Sequence, residues 1–182
     1  GGQVYKNYKI LKKIGCGKFS MVWKAKSKDG QFKAVKVLKR GKNYYKTGLE
    51  EIKFLEYIDK HDNCVYSVDN FILEKDSFSH ICLVFELFPG DLRSKLEEAP
   101  SGVGLSESSK IGNHISAALC HLHLNDVIHT DLKPENIMYT EKGVYKLSDF
   151  GTCCLKADRT FSYIQTCPYR SPEIILQYDE WD

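Results

Sequence analysis

The sequence predicts an α+β fold in two parts: a five-stranded antiparallel sheet with one helix, followed by a mostly helical second half. Two observations carry this prediction. The first half contains short runs rich in β-branched and aromatic residues separated by glycine turns, whereas the second half contains a long segment with apolar residues at helical spacing. The Pro-Gly pair at residues 89–90 lies between the two patterns and marks a boundary between lobes.

Three strands are predicted at the start of the chain, over residues 8–14, 21–26 and 32–38. The first two flank a turn that contains two glycines. The third follows the turn signal Lys28-Asp-Gly30, so that all three form an antiparallel sheet.

One amphipathic helix is predicted after these strands, over residues 44–57. Its charged residues alternate with an apolar face formed by Leu49, Ile52, Leu55 and Ile58. Two further strands, over residues 68–73 and 80–87, bring the expected number in the sheet to five.

Two helices begin the second half of the chain. A short one is predicted over residues 91–98, and a longer one opens at Ser106 as its N-cap and ends near Asn125. The long helix has one apolar face, formed by Ile111, Ile115, Leu119 and Leu122. Short strands follow over residues 137–139 and 145–147. Residues 149–173 then show no strong periodicity, and long loops of this kind are usually functional.

Charge and cysteine usage exclude several classes of function. Lys plus Arg number 26 and Asp plus Glu 24, so the net charge of +2 gives no reason to expect direct nucleic-acid binding. No apolar run approaches the roughly 20 residues that span a bilayer, so no membrane partner is expected. The seven cysteines contain no Cys-x-x-Cys pair, which favours reduced thiols and an intracellular location, cytoplasmic, nuclear or both.

The segment 127–136 places three complementary functional groups in one short loop. Asp131, Lys133 and Asn136 supply a carboxylate, a cation and a carboxamide that can converge on one reacting centre, as phosphoryl transfer requires. The segment resembles the catalytic loop of eukaryotic protein kinases, H-R-D-L-x-x-x-N, with Thr130 in place of the arginine. This resemblance implies a bilobal kinase-like fold that uses ATP and Mg²⁺.

The resemblance also implies a role for each residue of the loop. Asp131 accepts or orients the substrate hydroxyl, Lys133 meets the γ-phosphate, and Asn136 binds a magnesium ion. Asp149 of the Asp-Phe-Gly sequence supplies the second metal carboxylate, because Mg²⁺ prefers oxygen ligands. Asn136 follows Asp131 by five residues and Asp149 follows it by eighteen, as the family pattern requires. His129 is expected to be a packed structural residue without a chemical role.

The glycine turn between the first two strands resembles the kinase glycine-rich loop, with Ser20 in place of the third glycine. Small residues there let backbone N–H groups approach phosphate oxygens. The nucleotide-binding residues that this resemblance implies are Ile14, Gly15, Cys16, Gly17, Lys18 and Val22.

Lys36 lies between apolar residues of the third strand, and such a lysine needs a partner. In the kinase pattern it holds the nucleotide phosphates and pairs with a glutamate of the following helix. Glu51 is the favoured partner and Glu50 the alternative. The family implies further adenine contacts: Phe85 at the back of the pocket, backbone groups of residues from Glu86 to Phe88, and apolar walls from Val22, Ala34 and Met138.

The branch of the family stays open from sequence alone. Tyr-Arg-Ser-Pro-Glu173 is typical of the group that contains cyclin-dependent, MAP, Clk-type, SR-protein and dual-specificity Tyr-regulated kinases. His-Thr-Asp and the glycine loop resemble SR-protein kinases, which implies Arg-Ser substrates, whereas Tyr163 resembles the self-phosphorylated tyrosine of the dual-specificity branch. Thr130 lacks a guanidinium that could bind an activation-loop phosphate, so activity is expected to depend little on such a phosphate.

Two functions are expected from this pattern. The first is a protein kinase acting on serine and threonine hydroxyls of protein substrates, with tyrosine as a further acceptor. The alternative is a non-catalytic nucleotide-binding or regulatory module. One kinase domain over residues 1–182 is predicted, with an amino-terminal lobe over 1–86 and a carboxy-terminal lobe over 87–182. The second lobe is expected to be incomplete and the apolar face of the long helix partly uncovered.

Overall fold

The computed structural model describes residues 3–75, 77–158 and 164–178. It divides into two compact units. The first consists of Gly1–Tyr57 and Tyr66–Leu87, and the second of Ile58–Val65 and Phe88–Asp182. The lobe boundary predicted at residues 86 and 87 stays a prediction.

The first unit contains the predicted antiparallel sheet, with one more strand than expected. The strands are β1 (Val4–Tyr5), β2 (Tyr8–Cys16), β3 (Ser20–Ser27), β4 (Phe32–Leu38), β5 (Ser67–Lys75) and β6 (Phe78–Glu86). Their spatial order is β1-β2-β3-β4-β6-β5. The additional strand β1 is only two residues long and pairs with the start of β2, which explains why periodicity did not reveal it.

Successive side chains of a strand point to opposite faces of the sheet, and on one face they form a buried apolar cluster. Its buried members are Tyr8, Ala25, Val35, Cys82 and Val84. Burial raises the pKa of the Cys82 thiol to about 12, so the thiol stays protonated and behaves as a small apolar group.

Helix α1 (Lys42–Tyr57) confirms the predicted helix, and of its predicted apolar face only Leu49 is exposed. Its buried residues are Gly48, Glu51 and Leu55, whereas Leu49, predicted to lie on the apolar face, is 39% exposed. The lack of a side chain at Gly48 is the reason. A Cβ there would lie 2.9 Å from the Cβ of Ile81, so the helix approaches β6 at this position.

The second unit contains three α-helices within the described residues, α2 (Leu92–Glu98), α3 (Leu105–Leu124) and α4 (Pro172–Ile175). Asp91 caps α2, because its carboxylate accepts a hydrogen bond from the Ser94 amide. The prediction of Ser106 as the N-cap of α3 was wrong. Gly104 has extended backbone at the cap position, so the helix begins one residue before Ser106.

Five short strands accompany these helices in the second unit. They are β7 (Gly90–Asp91), β8 (Val127–Ile128), β9 (Ile137–Tyr139), β10 (Tyr145–Leu147) and β11 (Cys154–Leu155). β9 and β10 were predicted. The other three are two residues long and depend on pairing with a distant partner, namely β7 with β9 and β11 with β8.

The apolar face of α3 is buried at Ile115 and Leu122 and half-buried at Ile111 and Leu119. Leu105 and Leu124, at the two ends of the helix, are 85% and 80% exposed. No described helix is long and apolar enough to cross a membrane.

A partly buried polar cluster joins α2, α3 and β10. The Nζ atom of Lys95 lies 2.7 Å from Oε1 of Glu107 and 2.6 Å from the hydroxyl of Tyr145. The Tyr145 hydroxyl donates to Glu107, and burial, with this hydrogen bond, raises the pKa of Tyr145. The carbonyl of Tyr145 accepts from the side-chain amide of Asn63 at 2.9 Å, which attaches the segment Ile58–Val65 to this unit.

Candidate active site

The glycine-rich turn connects β2 to β3 in the first unit. It is closed by a hydrogen bond from the Gly17 amide to the Ser20 carbonyl at 2.9 Å. Gly15 is opposite Val22, and a Cβ at Gly15 would lie 3.5 Å from the Cβ of Val22. Three further residues predicted to bind nucleotide are exposed in or beside the turn, namely Ile14, Cys16 and Lys18.

Lys36 forms an ion pair with Glu51 in the first unit. Its Nζ atom lies 2.7 Å from Oε1 and 2.8 Å from Oε2 of that carboxylate. The side chains are 14% and 1% exposed, so the pair is largely removed from water. Glu50 instead faces Lys46 at 3.6 Å on the helix surface, with a side chain that is 48% exposed.

Strand pairing places several predicted nucleotide-binding residues on one face of the sheet. Val22 is opposite Lys36, and Ala34 is opposite Phe85. Residues directly opposite each other on paired strands lie on the same face of the sheet. Lys36 and Ala34 are two residues apart on β4 and also lie on one face, so both pairs share that face. This face is distinct from the one that carries the buried apolar cluster.

The remaining predicted adenine contacts lie in both units. Glu86 ends β6 and is exposed. Phe88 and Met138 are half-buried in the second unit, where Met138 is opposite Asp91 of β7 and Lys146 of β10. Their roles toward a nucleotide stay predictions.

Asp131 lies at the centre of a hydrogen-bond network in the second unit. Its Oδ2 atom accepts from Nζ of Lys133 and, at 3.2 Å, from Nδ2 of Asn136. Its Oδ1 atom accepts from the Thr166 hydroxyl at 2.6 Å. Lys133 also donates to this hydroxyl at 3.1 Å. Both carboxylate oxygens are therefore held in place by hydrogen bonds.

Asn136 is buried and positioned from two sides. Its Nδ2 donates to the Asp131 carbonyl at 2.8 Å, which leaves Oδ1 as the side-chain atom suited to a cation. Its own carbonyl accepts from the amide of Ser148 at 2.8 Å and from the Ser148 hydroxyl at 2.9 Å. Ser148 precedes Asp149, which is exposed and has left-handed backbone with φ +65°.

His129 and Thr130 connect the loop at residues 127–136 to the Asp-Phe-Gly segment at residues 149–151. The buried ring of His129 lies 2.9 Å from the Ser148 carbonyl through Nε2 and contacts the Phe150 ring edge-on. Burial lowers the pKa of His129, so the ring is neutral and acts as a structural group. Thr130 is 7% exposed and its hydroxyl donates to the Thr152 carbonyl at 2.6 Å.

Two residues at the site were missed by sequence reasoning. Thr166 contacts Asp131 although it is 35 residues away, and Ser148 contacts Asn136 across 12 residues. Thr166 lies in the segment without periodicity, and Ser148 is a single hydroxyl directly after a predicted strand, so no local pattern pointed to either. Tyr163, the residue likened to a self-phosphorylated tyrosine, lies outside the described residues.

Comparison with known families agrees with this arrangement of residues. The family described as "Protein kinase domain" matches residues 8–182, almost the whole chain. The chain belongs to the protein kinase family. The α+β architecture, with an antiparallel sheet and helix followed by a helical part, is consistent with a kinase fold.

The relatives of this kinase domain include dual-specificity tyrosine-phosphorylation-regulated kinases. Kinase 3 of that name from Rattus norvegicus is 34% identical over 178 residues, which cover 93% of this chain and 30% of the relative. Kinase 4 from Homo sapiens is 34% identical over 176 residues, with 93% and 34% covered. "Probable serine/threonine-protein kinase dyrk2" from Dictyostelium discoideum is 36% identical over 184 residues, with 95% and 20% covered.

These relatives relate the domain to the dual-specificity branch, one of the branches that sequence motifs had left open. The chain spans about a third or less of the length of each of these relatives.

Proposed function

We propose that this kinase domain transfers the γ-phosphate of Mg-ATP to serine and threonine hydroxyls of protein substrates, and to tyrosine hydroxyls as well. The observation that carries the proposal is the fixed carboxylate of Asp131, which hydrogen-bonds to Lys133, Asn136 and Thr166. Pre-positioned groups of this kind are what phosphoryl transfer needs, because the reaction depends on orientation and electrostatic stabilisation. The names of the dual-specificity relatives support tyrosine as a further acceptor.

In this proposal Asp131 orients the attacking hydroxyl and takes its proton. Lys133 offsets negative charge on the transferred phosphoryl group. Lys36, held by Glu51, binds the phosphates of the nucleotide, and the amides of the glycine-rich turn assist it. Val22, Ala34 and Met138 provide apolar contacts for the adenine ring.

Asn136 and Asp149 are the residues that would hold Mg²⁺, and their donor atoms fit this ion. Both offer hard oxygen atoms, and Nδ2 of Asn136 is already occupied as a donor. Among the described residues, no group of three or more His, Cys, Asp or Glu could hold a metal ion by itself. This agrees with Mg²⁺, which is usually bound by one or two side chains together with substrate phosphates and water. Bound Mg²⁺ neutralises phosphate charge.

We propose that residues 1–86 and 87–182 act as the two lobes of one kinase domain inside the cell. Seven cysteines without a disulfide among them support a reducing compartment.

The test is ATP-dependent phosphorylation of a generic basic peptide and of an Arg-Ser peptide by this chain. Asp131→Asn keeps the size of the side chain but removes the proton acceptor, and the rate is expected to fall by at least about 100-fold. Glu141→Gln is a suitable control because Glu141 is exposed and lies outside the Asp131 network. Equal rates for the chain and Asp131→Asn would contradict the proposal. A thermal shift with Mg-ATP but no turnover would instead support a non-catalytic nucleotide-binding module.

A further inference from the structure

Positive charge is concentrated in the unit that contains the six-stranded sheet. The residues of Gly1–Tyr57 and Tyr66–Leu87 include 16 lysines and arginines against 8 aspartates and glutamates, a net charge of +8. The remaining residues have 10 against 16, a net charge of −6. The net charge of +2 is therefore the sum of a positive unit and a negative unit. The small net charge is no argument against an anionic partner that binds at the sheet.

Four lysines of this sheet form two like-charged pairs directly across neighbouring strands. Lys9 of β2 is opposite Lys26 of β3, and Lys12 is opposite Lys24. Opposite side chains share a face with Cβ atoms roughly 4.5–5.5 Å apart, and like charges there destabilise the pairing. Lys24 and Lys26 are two residues apart, so both pairs share one face. We call these four residues the lysine face.

A β-bulge places the second pair on this face. The register of β2 and β3 shifts between Ile10 and Lys12, which leaves Leu11 as an extra residue in β2. In a regular strand, residues 9 and 12 would point to opposite faces, because side chains alternate. The bulge therefore brings four like charges together where a regular strand would separate them.

The strands provide no counter-charge for the lysine face. The residues opposite its members on the adjoining strands are Val4, Ala34 and Phe32, none of which is acidic. Lys24 is half-buried with Nζ 4.3 Å from the centre of the Phe32 ring, whereas the other three lysines are exposed. Among the described residues, the ion pairs of this unit use other lysines, namely Lys6, Lys36 and Lys46.

We propose that the lysine face is a docking surface for an extended, acidic polypeptide segment of a partner protein. Side chains at alternate positions of an extended peptide are roughly 6.6 Å apart, which matches the separation of Lys24 and Lys26 along β3. One carboxylate can then lie between each opposed lysine pair. Binding would relieve the repulsion within both pairs, so the charge of the partner complements a surface that is destabilised without it.

An acidic peptide fits this surface better than single-stranded nucleic acid does. Proteins that bind single strands stack the bases on aromatic rings. The ring beside the lysine face, Phe32, is already covered by the ammonium group of Lys24. Trp23 is opposite Val35, which belongs to the apolar cluster on the other face of the sheet. The lysine face thus offers four positive charges beside one aromatic ring, and that ring already contacts an ammonium group.

The test is direct binding of a fluorescent peptide with aspartate at alternate positions to the 182-residue chain at low salt. The variant Lys12→Gln with Lys26→Gln removes one lysine from each pair and leaves the Lys24–Phe32 contact intact. The matched control is Lys42→Gln with Lys53→Gln, which makes the same change in charge at exposed positions of α1. The first variant is expected to weaken peptide binding by about tenfold, and the control by less than about twofold.

Thermal stability separates a docking role from a structural one. Without peptide, the Lys12/Lys26 variant is expected to unfold at a higher temperature than the unchanged chain, because it removes one member of each repelling pair. Higher stability together with weaker peptide binding would support the proposal. Unchanged peptide binding, equal losses in both double variants, lower stability of the Lys12/Lys26 variant, or tighter binding of an oligo(dT) of equal charge would each overturn it. Binding is measured without ATP, so failure here leaves the proposed phosphoryl transfer untouched.

Discussion

Two adjacent glutamates of α1 have very different environments. Glu51 is buried against Lys36, whereas Glu50 lies on the helix surface near Lys46. The sequence restricts the partner of Lys36 to these two residues. Only the rotation of the helix about its axis, set by close packing at Gly48, decides between them.

We expect Glu51→Gln to lower both stability and ATP use. Loss of one member of a buried ion pair removes the negative charge beside the Lys36 ammonium and should cost roughly 3 kcal/mol of unfolding free energy. The misplaced ammonium should also reduce kcat/KM for ATP. Glu50→Gln is the control, because exposed pairs four residues apart contribute only about 0.3–0.5 kcal/mol. Urea denaturation and steady-state kinetics test this, and similar effects of the two variants would contradict it.

Thr166 is expected to position Asp131 through its hydroxyl, which donates to Oδ1 and accepts from Lys133. Thr166→Val keeps the shape but removes both hydrogen bonds, so kcat should fall by about tenfold or more while KM for ATP changes little. Thr166→Ser retains the hydroxyl and should restore most of the rate. A serine variant as slow as the valine variant would indicate that the methyl group, and not the hydrogen bonds, matters.

Helices α1 and α3 each contain a glycine, and the two glycines differ in how closely other residues pack against them. In α1, Gly48 is buried, and an added Cβ would lie 2.9, 3.0 and 3.1 Å from three carbon atoms of Ile81. In α3, a Cβ added at Gly112 would have no such contact within 4 Å. Helix propensity favours alanine at both positions, so packing alone distinguishes them.

Gly112→Ala is expected to raise the free energy of unfolding by up to about 1 kcal/mol, because alanine costs less backbone entropy than glycine in a helix. Gly48→Ala is expected to lower it by about 1–3 kcal/mol, because the clash with Ile81 outweighs the gain in propensity. Thermal or urea unfolding of the two variants measures the difference. Stabilisation by Gly48→Ala would show that α1 does not pack on β6 as described.

At the scale of the whole molecule, the proposed reaction uses residues from both units. Lys36 belongs to the first unit and Asp131 to the second. Residues that act in one chemical step have strongly non-additive effects. The double variant Lys36→Met with Asp131→Asn should therefore be no slower than the slower of its two single variants. Single-turnover assays measure this, with Asp131→Asn plus Glu50→Gln as a control. Losses that multiply would indicate that the two residues act independently.

The amino-acid sequence alone was sufficient to predict the family and to locate the main elements. Strand and helix periodicity predicted five strands of the sheet together with α1 and α3, because burial of one face dictates the spacing of apolar residues. The motif around Asp131 and its distance from Asp149 indicated a protein kinase, which the family comparison confirmed.

Contacts between residues far apart in the sequence become visible only in the folded chain. The two-residue strands, Thr166 beside Asp131 and Ser148 beside Asn136 depend on pairings that no local pattern encodes. The side of α1 that packs on the sheet was likewise not predictable from sequence, because it follows from the close approach of the helix to β6 at Gly48. The lysine face was not predictable either, because it depends on the register of β2 and β3 and on one bulge. Sequence spacing shows which residues can share a face, whereas packing and register decide which of them do.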